Sequence, residues 1–203
     1  MRQKNMLGQV QLDAVEPAAQ ALAQQSLIGT VEWLKKAVIG LNLCPFAKGP
    51  WQKQQIRFRV SEAADEVNLL NDLRQELLLL AANSSTELET SLLIHPQVLQ
   101  DFYDYNDFLS LADDLLIELE LDGILQIASF HPNYQFADSA PDEIENYTNR
   151  APYPCLHLLR EESIDRAVDA FPDAADIFEK NKHCMRQLGL AGWQALADWE
   201  KNR

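Results

Sequence analysis

The chain has 203 residues, 47% of them hydrophobic and 24% charged, an ordinary composition for a folded domain that excludes disorder of the whole chain. Its 17 Lys and Arg residues against 31 Asp and Glu give a net charge of -14, which makes nucleic acid and anionic membranes poor partners. No stretch has the roughly 20 apolar residues of a membrane span, and residues 1–10 lack the apolar core of a secretory signal, so we expect a cytoplasmic protein.

The N-terminal part of the chain divides at about residue 30. Residues 1–29 are rich in Gln and Ala without a clear apolar stripe, and they predict an N-terminal arm or helix. Residues 30–203 are expected to form a single domain. Thr30 is a candidate N-cap for a helix that ends at Cys44, because the proline that follows disfavours helix there.

Patterns of strand and helix alternate along the rest of the chain. Strands are predicted at residues 55–60, 90–95, 123–130 and 155–159, and Ser61 is a candidate N-cap for the helix after the first of them. The order indicates an α+β fold: a two-layer structure with about four main strands, helices mainly on one face and a helical C-terminal segment. A three-layer α/β sheet is the alternative, and the pattern leaves the strand order open.

Five strings in the same order resemble one bacterial family, catalogued as domain of unknown function 1415. They are GLNLCPFAKG at 40–49, ETSLLIHP at 89–96, DYNDFL at 104–109, LQIASFHPNYQFAD at 125–138 and NYTNRAPYPCLHLLRE at 146–161. The resemblance spans about residues 30–189 and implies no established activity, cofactor or substrate. Methionine often stands at the position of Cys155 in that family, which argues against a role for a thiol there.

A cysteine and two histidines are the candidate catalytic residues. Cys44 lies where a helix ends before Pro45, so its thiol is expected to be partly exposed. His131 directly follows a predicted strand, and His157 lies within one, on the same face as Cys155. We predict a small-molecule enzyme with Cys44 as nucleophile or redox thiol and His131 or His157 as its acid/base partner. A buried structural cysteine is the competing interpretation.

Basic residues flank an acidic stretch and suggest an anionic substrate. Between residues 61 and 149 Arg74 is the only basic residue. Arg57 and Arg59 precede that stretch and Arg150 follows it, and arginine forks suit carboxylates and phosphates. We therefore predict a pocket for a small anionic molecule, lined also by Tyr134 and Asn149, with surface salt bridges as the competing explanation.

Two other function classes remain open. His95, His131 and His157 could converge as metal ligands, although the sequence has no HExxH, CxxC or HxH spacing. A non-enzymatic binding or adaptor domain would use Trp51, Trp193 and Trp199 as exposed anchors. Since neither a GxGxxG nor a GxxxxGK loop is present, the sequence identifies no cofactor, and it leaves the oligomeric state open.

Overall fold

The computed structural model describes residues 17–170 and 176–199, which form an α+β fold with a four-stranded mixed sheet, as predicted. The helices are α1 (Pro17–Trp33), a π-helix (Leu34–Ile39), α2 (Lys48–Lys53), α3 (Glu66–Ala82), α4 (Phe102–Glu118), a 3-10 helix (Ile144–Thr148), α5 (Glu161–Ala170) and the long α6 (Ile177–Leu196). The strands are β1 (Ile56–Val60), β2 (Thr90–Ile94), β3 (Leu125–Phe130) and β4 (Cys155–Arg160). No helix in these two ranges is long and apolar enough to cross a bilayer.

The sheet has the order β1-β2-β4-β3, so the last strand in sequence occupies a central position. β1 and β2 are parallel, whereas β4 runs antiparallel to both of its neighbours. Cys155, the first residue of β4, pairs with Ile94 on one side and with Phe130 on the other. The segments that follow β2 and β3 begin with His95 and His131, and they therefore leave the sheet at the same end.

Strand alternation divides the apolar side chains between two cores. On one face, Phe58, Leu92 and Cys155 belong to a core with residues of α1 and α6; we call this the α1 face. On the other, Leu93, Leu156 and the inward leucines of α3 and α4 form a second core; we call this the α4 face. Helices thus lie on both faces of the sheet, where the sequence had indicated mainly one.

Two predicted helix starts differ from the structure. Thr30 lies inside α1, which already includes Pro17, so Thr30 is not an N-cap; residues 1–16 of the predicted arm lie outside the described residues. α3 is capped by Asp65, whose carboxylate accepts the Asn68 N–H at 2.8 Å. Ser61 instead donates to Asp72 Oδ2 at 2.6 Å, so its hydroxyl ties the end of β1 to the side of α3.

The π-helix continues directly from α1 and ends at Ile39, with Gly40 as its C-cap. The Gly40 N–H donates to Lys35 O at 3.0 Å, the i to i−5 spacing of a π-turn. A Cβ on Gly40 would collide with the carbonyl oxygen of Lys36, so the close approach of this turn requires glycine. The wider turn places Leu34 and Val38 against the α1 face of the sheet.

Candidate functional site

A chamber of about 330 Å³ lies on the α1 face of the sheet. Its floor is formed by side chains of all four strands, among them Ile56, Leu92 and Ala128. The π-helix, residues 44–50 and α5 surround this floor. Apolar side chains predominate in the lining, and Cys44 and His157 are the two predicted catalytic residues that it includes. An apolar concavity with a few polar groups is the usual form of a small-molecule site.

Cys44 enters the chamber from the turn that follows the π-helix. Its N–H donates to Val38 O at 3.4 Å, and its carbonyl accepts from Ala47 at 3.2 Å, which holds the turn. Burial raises the pKa of the Cys44 thiol, and the backbone N–H groups of Phe46 and Ala47, which donate to Sγ, oppose this rise only in part. At neutral pH the side chain is therefore a thiol rather than a thiolate.

His157 enters the chamber from the centre of the sheet. Its Nε2 lies 2.8 Å from the Thr90 hydroxyl on β2, which in turn donates to Leu158 O at 2.5 Å. Burial lowers the pKa of His157 to about 4, so the imidazole is neutral at physiological pH. No hydrogen bond joins Cys44 to His157 among the described residues, so the thiol is not hydrogen-bonded to a base in this structure.

The other two histidines lie at the α4 face, outside the chamber lining. The Tyr105 ring is 5.7 Å from that of His95 and 5.1 Å from that of His131, and its hydroxyl donates to Cys155 O and accepts from the Phe130 N–H. His131 Nε2 donates to Leu99 O, and Nδ1 accepts the Asn133 N–H. Both nitrogens of this predicted acid/base residue therefore hold backbone in place.

The metal-site prediction does not agree with this placement. His95 and His131 follow the C-terminal ends of β2 and β3 and lie near Tyr105, whereas His157 lines the chamber on the opposite face of the sheet. Within residues 17–170 and 176–199, no group of three His, Cys, Asp or Glu residues is arranged to hold a metal ion. The three-histidine centre is therefore not assembled in this structure.

The predicted arginine pocket is also dispersed. Arg57 donates Nε and a terminal nitrogen to the buried Glu76 of α3, at 2.8 and 3.1 Å, on the α4 face. Arg59 follows on the same face, because alternate residues of a strand share a side. Arg150 braces the loop after β3: it donates to the carbonyls of Tyr134 and Pro141. None of the three lines the chamber.

Two further predicted binding residues belong to the loop after β3. Tyr134 packs against Phe102 with ring centroids 5.3 Å apart, and its carbonyl accepts from Arg150. Asn149 accepts the His131 N–H on its carbonyl at 3.2 Å. Neither side chain lines the chamber, so the structure brings together Cys44 and His157 but separates them from the other predicted binding residues.

The tryptophans do not form an exposed anchor surface. Trp193 and Trp199 are 1% and 5% exposed and pack edge to face at 5.8 Å, and Trp51 is half-buried. The predicted exposure is therefore wrong for Trp193 and Trp199, because both contribute to the core of the α1 face. α6 carries Trp193 into that core, and an ion pair between Arg186 and Glu145 joins the helix to the 3-10 helix.

Sequence reasoning missed Thr90 and Ala128, two residues that shape the chamber. Thr90 orients His157, and Ala128, which pairs with His157 across β3 and β4, is small enough to leave space above the floor. A hydroxyl on an otherwise apolar strand and an alanine within a run of larger residues were the available signals. Neither could be interpreted without the order of the strands.

One family model, described as protein of unknown function (DUF1415), matches residues 25–195. The matched range includes every residue that lines the chamber. No curated protein and no solved structure matches the chain.

Proposed function

Because the chain belongs to the DUF1415 family, whose function is unknown, we propose from the chamber alone that the protein binds a small, largely apolar molecule. The observation that carries the proposal is the chamber itself: about 330 Å³ of space on the α1 face, lined mostly by apolar side chains. Burial of apolar ligand surface would supply most of the affinity, since each square ångström removed from water contributes about 25 cal/mol.

The charges around the chamber support a neutral ligand. Its two charged lining residues are Glu89 and Arg160, and Arg160 already donates to the backbone carbonyls of Leu80, Asn83 and Leu88. Cys44 and His157 are both uncharged at neutral pH. A strongly anionic molecule would find no unengaged cation in this lining, so an apolar body with few polar groups fits it best.

Filling the chamber should abolish binding. We expect the neutral fluorescent probe N-phenyl-1-naphthylamine to bind the wild-type protein saturably at one site. Ala128→Leu should weaken that binding at least tenfold, because the larger side chain occupies the floor of the chamber. Ala81→Leu makes the same substitution at an exposed position of α3 and serves as the control. Equal affinity for the probe in Ala128→Leu and Ala81→Leu would reject the chamber as the binding site.

A thiol-dependent enzyme is the second candidate, favoured by the two backbone N–H groups that point at Cys44 Sγ. In such an enzyme, Sγ would add to the carbon of an activated C=C or C=O bond of the bound molecule. The π electron pair would move to the other atom of that bond, and the thiol proton would pass through Nδ1 of His157 to that atom. The N–H groups of Phe46 and Ala47 would stabilise negative charge on sulfur as the proton leaves. This candidate retains the predicted pair of Cys44 and His157 and omits His131.

Covalent labelling distinguishes the two candidates. N-(1-naphthyl)maleimide, an apolar electrophile, should label Cys44 faster than N-ethylmaleimide does, and should leave the fully buried Cys155 unmodified. If His157 accepts the proton, His157→Leu should slow Cys44 labelling about tenfold or more. Peptide mass mapping identifies the labelled residue, and Cys184→Ser removes the other half-buried thiol. An unchanged labelling rate in His157→Leu would eliminate the enzyme candidate and leave the binding proposal intact.

The anionic ligand that the sequence predicts stays a prediction, and the three arginines that would bind it lie outside the chamber lining. Arg59 is half-buried on the α4 face of β1, and its guanidinium forms no hydrogen bond or ion pair within the described part of the chain. It is therefore the one of the three predicted arginines that remains available to such a ligand, because Arg57 and Arg150 are engaged.

A further inference from the structure

We infer that the molecule bound in the chamber carries an N–H or O–H group, which donates a hydrogen bond to Nδ1 of His157. The inference rests on the proposed binding function and names the chemistry of the ligand. Its basis is a chain of three polar groups on β2 and β4 that leaves His157 with one possible arrangement of its proton.

The Thr90 hydroxyl determines which nitrogen of His157 carries the proton. A threonine hydroxyl has a single hydrogen, and in this structure it is donated to Leu158 O, 2.5 Å away. Towards His157, Thr90 Oγ1 can then act only as an acceptor, so Nε2, at 2.8 Å, must be the donor. In a neutral imidazole with its proton on Nε2, Nδ1 has an unshared electron pair and acts as an acceptor.

That acceptor opens onto the chamber. The His157 ring is half-buried and lines the chamber, and no described residue donates a hydrogen bond to its Nδ1. Nδ1 is not one of the fully buried, unpartnered atoms of the structure, in contrast to Nε2 of His95. A ligand that fills the chamber without offering a donor would seal this nitrogen away from water, and an unsatisfied buried acceptor is costly.

The position of Nδ1 therefore sets the ligand's chemistry. The apolar surroundings, with Leu92 and Ala128 as the strand neighbours of His157, favour an apolar or aromatic body. Phe130, whose ring is 6.1 Å from the imidazole, adds an aromatic wall. A phenol, an indole or an amide with an apolar substituent combines such a body with a donor, whereas an ether, an ester or a carboxylate does not.

A matched pair of probes tests the inference. We expect 2-naphthol to bind wild-type protein about tenfold more tightly than 2-methoxynaphthalene, although the extra methyl group favours the latter by apolar burial. In His157→Leu this preference should disappear while both compounds still bind. His157→Asn, which places an amide oxygen close to the position of Nδ1, should restore part of it. Isothermal titration calorimetry measures the affinities.

The outcomes separate the inference from the function it rests on. Equal wild-type affinity for the two probes would overturn the inference and leave apolar binding in place. Failure of both probes to bind would overturn both. Long-range ¹H–¹⁵N correlation spectra of the wild-type imidazoles provide a measurement that needs no variant: we expect His157 with its proton on Nε2. A proton on Nδ1 instead would overturn the inference even if 2-naphthol bound more tightly.

Discussion

Lowering the pH from 7 to 4 is expected to destabilise the protein by several kcal/mol, with His95 as a major single contributor. Burial lowers the pKa of His95 to about 4, and the nearby His131 adds to this effect. In the unfolded chain the pKa of a histidine is near 6.5. Between that pH and about pH 4, the unfolded state therefore binds a proton at His95 that the folded state does not bind. The stability from His95 is complete above about pH 6.5 and is lost as the pH falls towards 4, an effect of about 3 kcal/mol.

Urea unfolding, followed by the fluorescence of the buried tryptophans at pH 7 and at pH 4.5, measures this effect. His95→Asn keeps an amide that can donate to Val98 O as Nδ1 does, but it cannot take up a proton. Its free energy of unfolding should therefore fall less than that of the wild type over the same interval. His183→Asn alters an exposed histidine and should follow the wild type. If all three proteins lose the same free energy, burial of His95 does not control the acid transition.

Replacing Arg57 with methionine should destabilise the protein by about 2–4 kcal/mol. The substitution leaves the Glu76 carboxylate, which is 4% exposed, with the Ser91 hydroxyl at 2.9 Å as its remaining partner among the described residues. A buried charge that loses its counter-ion is among the most destabilising changes in a protein. Since the Arg57 side chain is 30% exposed, entry of water at β1 should keep the loss below that of a fully enclosed pair.

The exposed pair of Arg74 and Glu118 provides a matched control, because it also joins an arginine to a glutamate with N···O distances of 2.8–2.9 Å. Arg74→Met should change thermal stability little, since exposed ion pairs contribute little. The double variant Arg57→Met/Glu76→Leu should recover most of the stability that Arg57→Met loses, because it removes the stranded carboxylate. Calorimetric melting compares these variants. Equal destabilisation by Arg57→Met and Arg74→Met would contradict the explanation.

The fold class could be predicted from the sequence because each strand carries its own signal. The apolar runs of β2 and β4 and the alternation of Ile56, Phe58 and Val60 are local, and so are the strand ends at His95 and His131, which both precede proline. The N-terminal segment was predicted only as an arm or a helix, and the extent of α1 was not located, because its described residues show no strong amphipathic stripe. Its helical form depends on packing against the α1 face, which no local pattern reports.

The candidate site could be predicted only in part, for a geometric reason. Cys44 and His157 were identified by residue type, but which residues accompany them depends on strand order and on the side of the sheet that each side chain faces. β4 lies between β2 and β3. The alternation of its side chains places His157 on one face of the sheet, whereas Arg57, Arg59 and the ring of Tyr105 lie on the other face. Residues that lie close in sequence, or that share a chemistry, were therefore separated by the thickness of the sheet.

The central position of β4 also has a consequence for how the chain folds. Residues 155–160 must come between two strands that were synthesised much earlier, and Ser91 pairs with Leu158 across 67 residues. Until β4 has left the ribosome, β3 has no neighbour in the sheet and β2 has one unpaired edge. Contacts so distant in sequence slow folding, and unpaired edges invite association between chains. The nascent protein is thus most vulnerable to aggregation in the interval between the synthesis of β3 and that of β4.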